Sequence, residues 1–183
     1  REPGHTRIVA VATETAESIF GLADYRGAGP RLWGLMWGAE DLAASLGATG
    51  NSANGAYTEP FRLARNMCLM AAAAAGVAAI DTVCTNIGDL AYVEAEAMAA
   101  RRDGFSAKAV IHPSHIEPVH RAFTPKPEDI EWAGRVIAAF ETNPNAGVVK
   151  IDGKMIDKPH ERAARKIMAI AESLQARQGG SQQ

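Results

Sequence analysis

Short apolar runs alternate with longer amphipathic segments over the first part of the chain. The runs predict β-strands over residues 7–13, 31–37, 78–84 and 107–111. Apolar positions at helical spacing predict helices over roughly 15–25, 40–46, 58–75, 88–103 and 114–122. Strands that alternate with helices are typical of a parallel α/β sheet, either open or closed as a barrel.

The pattern changes after about residue 124. An amphipathic helix is predicted from the proline- and acid-rich start of TPKPEDIEWAGRVIAAFE, and Asp152-Gly153 predicts a tight turn between two short strands before a last helix. We therefore divide the chain into a β/α part (1–124), a C-terminal extension (125–178) and a flexible tail (179–183). The extension is predicted to contribute to oligomer contacts or to cover a site.

The number of β/α units shows how much of a barrel this sequence could form. Four units are visible, whereas a closed eight-stranded barrel takes typically about 250 residues. If the fold is a barrel, its first half is missing from this sequence, and we expect the chain, which begins with Arg1, to start at an internal cut.

Composition excludes several classes of function. The 183 residues are 47% hydrophobic, which is enough for a core, and 19 basic against 21 acidic residues leave a formal charge of −2. This balance argues against nucleic acid or an anionic membrane as a partner. Cys68 and Cys84 have no metal-ligand spacing and predict reduced thiols in a cytoplasmic protein. No apolar run is long enough to span a bilayer.

Acidic residues follow two of the predicted strands. Glu14 ends the first, and Glu40 and Asp41 follow the second. Adjacent parallel strands would bring Glu14 and Asp41 to one rim, where Mg²⁺ accepts a few carboxylates together with water and substrate oxygens. The alternative is that each acid merely stabilises the start of a helix, and for a single acid this is the commoner case.

Other polar residues are weaker candidates. His112, His115 and His120 suggest a ligand cluster, but Pro113 breaks the geometry, so structural roles or positions lining a cleft are favoured. Asp81 lies in an apolar strand and needs hydrogen-bond partners if it is buried. For Arg62 and Arg65 we expect a surface or helix-packing role ahead of binding the thioester phosphates. Lys108 is a weak candidate for meeting an anion near the end of its strand.

Six segments carry a family resemblance. They are ETA (14–16), WGAEDLAASLGAT (37–49), AIDTV (79–83), GFSAKAVIHPSHI (104–116), AFTP (122–125) and DGKMIDKPH (152–160). Together, and in this order, they resemble the CitE-like branch of the HpcH/HpaI aldolase and citrate lyase superfamily. The resemblance implies a TIM (β/α)8-type barrel, of which this chain covers roughly strands 5–8 plus the C-terminal extension.

The resemblance also implies an activity. Relatives are Mg²⁺-dependent carbon-carbon lyases that act on 3-hydroxy-acyl-CoA thioesters, as malyl-CoA, citramalyl-CoA and citryl-thioester lyases do. By motif, Glu14 and Asp41 would hold the Mg²⁺, and Asp157 would reach a neighbouring subunit's site as acid or base. The resemblance further implies a small keto acid as co-substrate and a trimer or a multiple of trimers. Asp157 has an alternative role at the start of the last helix, before Pro159.

Departures from the family leave two further hypotheses open. Ala107 stands where relatives often have glycine, Asn86 where an acid is frequent, and the early barrel, which supplies a carboxylate-binding arginine, is absent. A malyl-CoA-type thioesterase would share the metal site but needs an activated water. A catalytically silent scaffold subunit would keep only the fold.

Overall fold

The structure divides into two compact units. It is a computed structural model that describes residues 4–180, with side chains described as far as residue 176. Residues up to 123 belong to the first unit, and the second begins at Thr124. No helix of this described part is both long and apolar enough to cross a membrane.

The first unit is an α/β sheet whose strands and helices alternate. Its four-stranded sheet is parallel throughout, in the order β1 (Ile8–Val11), β2 (Leu32–Met36), β5 (Ala78–Asp81) and β6 (Ala107–Lys108). A small antiparallel hairpin of β3 (Ser52–Ala53) and β4 (Ala56–Tyr57) lies outside it. Short 3-10 helices cover Leu22–Tyr25 and Pro113–His115. In chain order the elements are β1 (Ile8–Val11), α1 (Ala16–Phe20), β2 (Leu32–Met36), α2 (Glu40–Leu46), β3 (Ser52–Ala53), β4 (Ala56–Tyr57), α3 (Glu59–Ala75), β5 (Ala78–Asp81), α4 (Leu90–Asp103), β6 (Ala107–Lys108) and α5 (Ile116–Phe123).

The predicted β/α alternation and parallel sheet are confirmed, with shorter elements than expected. The predicted helix over 15–25 ends after Phe20 and continues as a 3-10 helix. The described residues form an open sheet rather than a closed barrel. The correspondence with strands 5–8 of a barrel therefore stays a prediction.

The β3-β4 hairpin was missed in the sequence, although its signal is present. Asn54 and Gly55 both have positive φ angles, 52° and 76°. An Asn-Gly pair in this conformation is the strongest short-range hairpin signal, because glycine and asparagine adopt left-handed backbone angles most easily. The hairpin matters because it forms one wall of the cavity described below.

The core of the first unit lies between α3 and one face of the sheet. Phe61, Ala64 and Cys68 form the buried side of α3 and pack with Leu35 and Trp37 of the second strand and its exit. Small residues on α3 let the helix approach the sheet closely. Each fully buried large apolar side chain contributes on the order of 1.5–3 kcal/mol relative to exposure, so this layer fixes the position of the strand ends.

The second unit combines two helices with a hairpin. Its helices are α6 (Pro127–Thr142) and α7 (Lys158–Gly180), and its antiparallel strands are β7 (Val148–Ile151) and β8 (Lys154–Asp157). Side chains of α6, β8 and α7 share one apolar core. The predicted turn at Asp152-Gly153 is confirmed, with φ angles of 49° and 79°. Of the predicted tail (179–183), residues 179 and 180 belong to α7, and 181–183 lie outside the described residues.

Candidate active site at the carboxyl edge of the sheet

The chain segments that leave β1 and β2 remain paired beyond the strands. Val11 and Met36 are the last register partners, and the Ala12 amide then donates to the Met36 carbonyl at 2.7 Å. One residue later, the Gly38 amide donates to the Thr13 hydroxyl oxygen at 3.0 Å. In parallel α/β sheets this edge is where ligands bind.

Glu14 follows this paired segment directly. A Cβ atom added to Gly38 would stand 3.7 Å from Glu14 Cγ, so the Glu14 side chain lies beside Gly38. Asp41 lies three residues further, in the first turn of α2. The structure thus brings Glu14 next to the turn that carries Asp41. Both acids are exposed, and neither forms a hydrogen bond or ion pair within the described residues.

The helix-capping alternative is wrong for Glu14. α1 begins at Ala16, and its N-cap is Thr15, whose hydroxyl accepts from the Ser18 amide at 3.1 Å. Asp41 does lie in the first turn of α2, whose N-cap residue, Ala39, makes no side-chain cap hydrogen bond in the described structure. Glu40, the neighbouring acid, accepts a hydrogen bond from Asn51 Nδ2 at 2.8 Å. Its carboxylate therefore has a protein partner, unlike that of Asp41.

The donor set at this edge suits Mg²⁺ better than a transition metal. Among the described residues, no three His, Cys, Asp or Glu side chains come together to hold a metal. Two exposed carboxylates that have no partner among the described residues are hard oxygen donors. Mg²⁺ is usually bound by one or two carboxylates while it keeps several waters. Glu14 and Asp41 therefore fit this ion.

A buried charge cluster lies at the same edge, on the side covered by helices. Asp81 is its centre: its carboxylate accepts from Trp37 Nε1 at 2.6 Å, Arg65 Nε at 3.0 Å and Lys108 Nζ at 3.2 Å. Lys108 Nζ also lies 3.3 Å from Glu96 Oε2. We call these five residues the Asp81 cluster. It confirms the predicted hydrogen-bonded role of Asp81.

Of the two roles expected for Arg65, surface or helix packing, the cluster agrees with packing: the Arg65 side chain is mostly buried and ties α3 to Asp81. Burial alone would lower the pKa of the Arg65 guanidinium, but Asp81 and Asp103 together raise this pKa above its ordinary value. Arg65 Nη1 donates to Asp103 at 2.8 Å. Arg62, by contrast, pairs with Glu59 on the surface, as expected. The two arginines are three positions apart on α3 and so are neighbours on the helix surface. Only the tertiary fold gives Arg65 its buried partners.

A cavity of about 420 Å³ opens beside the cluster, between the β3-β4 hairpin and α4. Its polar lining includes Asn51, Asn86, Tyr57, Tyr92, Cys84 and Glu96. Burial, followed by the negative charges of Glu96 and Asp81, raises the pKa of the Tyr57 hydroxyl. Burial also raises the pKa of the Cys84 thiol. Both groups are therefore neutral at neutral pH, and Cys84 is not an activated nucleophile.

The predicted histidine positions do not form a metal site. His112 Nδ1 lies 2.7 Å from Ser114 Oγ, in a local turn. His115 is fully buried, and neither of its ring nitrogens hydrogen-bonds to a described residue. The rings of His112 and His115 are 6.1 Å apart and meet edge to face. This supports the structural interpretation of both residues.

Asp157 belongs to the second unit and directly precedes α7. Its Oδ1 lies 2.5 Å from His160 Nδ1 and accepts from the His160 amide at 3.5 Å. The hydrogen bond from His160 lowers the pKa of the Asp157 carboxyl below its ordinary value. Asp157 therefore has the position expected of a residue at the helix start, and its carboxylate remains partly exposed.

Comparisons with known proteins agree with this architecture. A citrate lyase subunit beta-like protein from Mycobacterium tuberculosis (strain CDC 1551 / Oshkosh) is 37% identical over 174 residues, which cover 94% of this chain and 60% of that protein. A (3S)-malyl-CoA thioesterase from Cereibacter sphaeroides (strain ATCC 17029 / ATH 2.4.9) is 37% identical over 169 residues, 89% of this chain and 56% of that protein. The chain thus spans little more than half the length of these relatives.

A solved structure shares the fold. The crystal structure of CitE from Mycobacterium tuberculosis, in complex with magnesium, acetoacetate and coenzyme A, superposes with a TM-score of 0.74 at 31% identity, covering 92% of this chain and 69% of that one. The model of the HpcH/HpaI aldolase/citrate lyase family matches residues 1–113. The chain therefore belongs to the HpcH/HpaI aldolase/citrate lyase family.

Proposed function

We propose that this chain provides the Mg²⁺ site of a carbon-carbon lyase that acts on a 3-hydroxy-acyl-CoA thioester of the malyl-CoA, citramalyl-CoA or citryl type. The observation that carries the proposal is that the acids at one edge of the sheet differ in whether protein donors bind them. Asp81 and Glu40 are bound by protein donors, whereas Glu14 and Asp41 are exposed and make no hydrogen bond or ion pair to the described residues. Two such carboxylates are available to a divalent cation.

Glu14 and Asp41 would hold the ion. A bound Mg²⁺ supplies Lewis-acid stabilisation of developing oxygen charge, worth several kcal/mol. Gly38 leaves space beside Glu14, and the paired exits of β1 and β2 fix the backbone that carries both acids. The protein's contribution at this site is therefore orientation of two carboxylates.

The reaction is a retro-Claisen cleavage. The substrate hydroxyl loses its proton and becomes a carbonyl, the carbon-carbon bond breaks, and its electron pair remains on the thioester carbon as an enolate, which then gains a proton. We assign that proton to Asp157, reaching the site of a neighbouring subunit in a trimer or a multiple of trimers. Its lowered pKa keeps the carboxylate ionised, the form that removes this proton in the reverse direction. In cleavage, Asp157 would first take up the proton that the substrate hydroxyl releases and then pass it to the enolate, so that no proton is gained or lost overall.

The metal assignment is tested by isothermal titration of the chain with Mg²⁺. We expect Glu14→Gln and Asp41→Asn each to weaken binding at least a hundredfold, since each removes one of two charged ligands. Glu40→Gln is the matched control, because Glu40 is next to Asp41 but bonds to Asn51. Binding that survives both ligand substitutions would refute the site, and a chain that assembles without binding Mg²⁺ would favour a scaffold.

A thioesterase is the second candidate, because the relative from Cereibacter sphaeroides is named a (3S)-malyl-CoA thioesterase. The products of malyl-CoA distinguish the two. A lyase releases acetyl-CoA and glyoxylate, whereas hydrolysis releases malate and free coenzyme A. Acetyl-CoA formation that requires Mg²⁺ supports the lyase, and free thiol without acetyl-CoA supports the thioesterase.

A further inference from the structure

Thr13 connects the exits of the two strands that carry the proposed metal ligands. It lies between the end of β1 and Glu14, and it is fully buried. Its hydroxyl oxygen accepts the Gly38 amide hydrogen at 3.0 Å. Beyond the Ala12–Met36 backbone bond, this side-chain bond is the next link between the two segments. It therefore holds together the backbone immediately before Glu14 and the backbone three residues before Asp41.

Close approach at this link depends on both residues. A Cβ on Gly38 would meet Val11 Cγ1 at 3.2 Å, a distance at which the neighbouring side chain has to move. A glycine at residue 38 avoids this contact and lets the two segments stay close without a shift of Val11. On the other side, the preceding residue, Trp37, is fixed because its Nε1 donates to the buried Asp81 at 2.6 Å.

We propose that Thr13 is a positioning residue for the two metal carboxylates, and this rests on the proposed function above. Its hydroxyl sets the distance between the Glu14 and Asp41 segments without touching the ion. Groups that orient metal ligands typically change metal affinity 10- to 100-fold when they are removed. A valine has almost the same shape as threonine but cannot accept the Gly38 hydrogen bond.

The test is Mg²⁺ affinity of the full chain, measured by isothermal titration and repeated with Mn²⁺ by electron paramagnetic resonance. Thr13→Val is expected to raise the dissociation constant at least tenfold. Thr13→Ser, which keeps the hydroxyl, is expected to stay within about threefold of the parent chain. Far-UV circular dichroism checks that each variant is folded.

Ser106→Ala is the matched control. Its hydroxyl, like that of Thr13, is bonded to a backbone group, but as the donor, to the Ala79 carbonyl at 3.1 Å. Ser106 lies just before β6, at the opposite edge of the sheet. We expect it to leave Mg²⁺ affinity unchanged. An equal loss in Ser106→Ala and Thr13→Val would overturn the positioning role, because general loosening would then explain both.

Two failures can be told apart. If the parent chain binds Mg²⁺ and Thr13→Val binds it equally well, the positioning role is wrong while the metal site stands. If the parent chain binds no Mg²⁺, the proposed metal site is wrong and the positioning role falls with it. If Thr13→Val does not fold, loss of affinity in the folded Thr13→Ser variant beyond threefold would also contradict the role given to the hydroxyl.

Discussion

Two groups of acids at the same edge of the sheet differ in what binds them. Asp81 is buried and accepts from an indole, a guanidinium and an ammonium group. Glu14 and Asp41 lie one short segment beyond the strands and are exposed to solvent. A buried carboxylate without donors would be far too costly, whereas an exposed one remains hydrated until a ligand replaces the water.

The comparison separates charges that stabilise the fold from charges available for binding. Asp81 connects the exit of β2, the helix α3 and the strand β6, so its role is to hold elements together. Glu14 and Asp41 connect nothing within the described residues, so their removal should cost the fold little. This difference is measurable, because the two groups should respond oppositely to substitution and to Mg²⁺.

The largest expected effect is that of Asp81→Ala. The substitution removes the carboxylate that Arg65 and Lys108 share, so their buried positive charges are only partly balanced. Removing one partner of a buried ion pair costs about 3–5 kcal/mol. Urea unfolding followed by circular dichroism should show this decrease in the free energy of unfolding. Asp24→Ala, at an exposed acid in the 3-10 helix after α1, is the control and should change stability by less than about 0.5 kcal/mol. Similar small effects for both variants would show that Asp81 stabilises the fold no more than an exposed acid does.

A smaller effect, with a different signature, is expected for Asp41→Asn. Without Mg²⁺, its free energy of unfolding should match the parent chain within about 0.5 kcal/mol, because an exposed charge without a partner contributes little. With Mg²⁺ at a hundred times the dissociation constant, the parent chain should gain about 2.7 kcal/mol from binding, and the variant should gain almost none. Equal stabilisation of both proteins by Mg²⁺ would place the ion elsewhere.

The smallest effect concerns Asp157, a partly exposed acid of the second unit that does have a partner. Because the hydrogen bond from His160 lowers its folded-state pKa below the ordinary 3.8, its contribution to stability is complete at neutral pH. That contribution is lost as the pH falls from about the ordinary value through the lowered one. Carboxyl ¹³C NMR titration should find a pKa below 3.8 in the parent chain and a return towards it in His160→Ala.

Asp152 is the internal control for this titration. Its own pKa is lowered by the hydrogen bond from Arg135, so it should not respond to His160→Ala. A pKa of Asp157 that stays low in the variant would mean that the helix start, rather than His160, stabilises the carboxylate. Asp157 would then resemble Glu14 and Asp41 in having a carboxylate that no side chain stabilises.

Several features were predictable from the sequence because they depend on neighbours along the chain. Apolar periodicity predicted the alternation of strands and helices, and Asp152-Gly153 predicted a tight turn. Asn54-Gly55 is the same kind of local signal, but its flanking strands are only two residues long, too short to show the alternation that identifies a strand. The sequence also predicted that Glu14 and Asp41 lie at one edge of the sheet, because they follow successive strands and parallel strands end at the same edge.

Only the tertiary structure decided which polar groups are neutralised. Arg65 and Lys108 are 16 and 27 positions from Asp81, and no local pattern pairs them. Hydrophobic periodicity records which side of an element is buried, and therefore the order of strands and helices. Pairing of buried charges depends on distances between atoms of different elements, which exist only once the sheet and α3 have packed. The sequence thus determined the family and architecture, while packing decided that Asp81 is bound by the protein and that Glu14 and Asp41 remain open to a ligand.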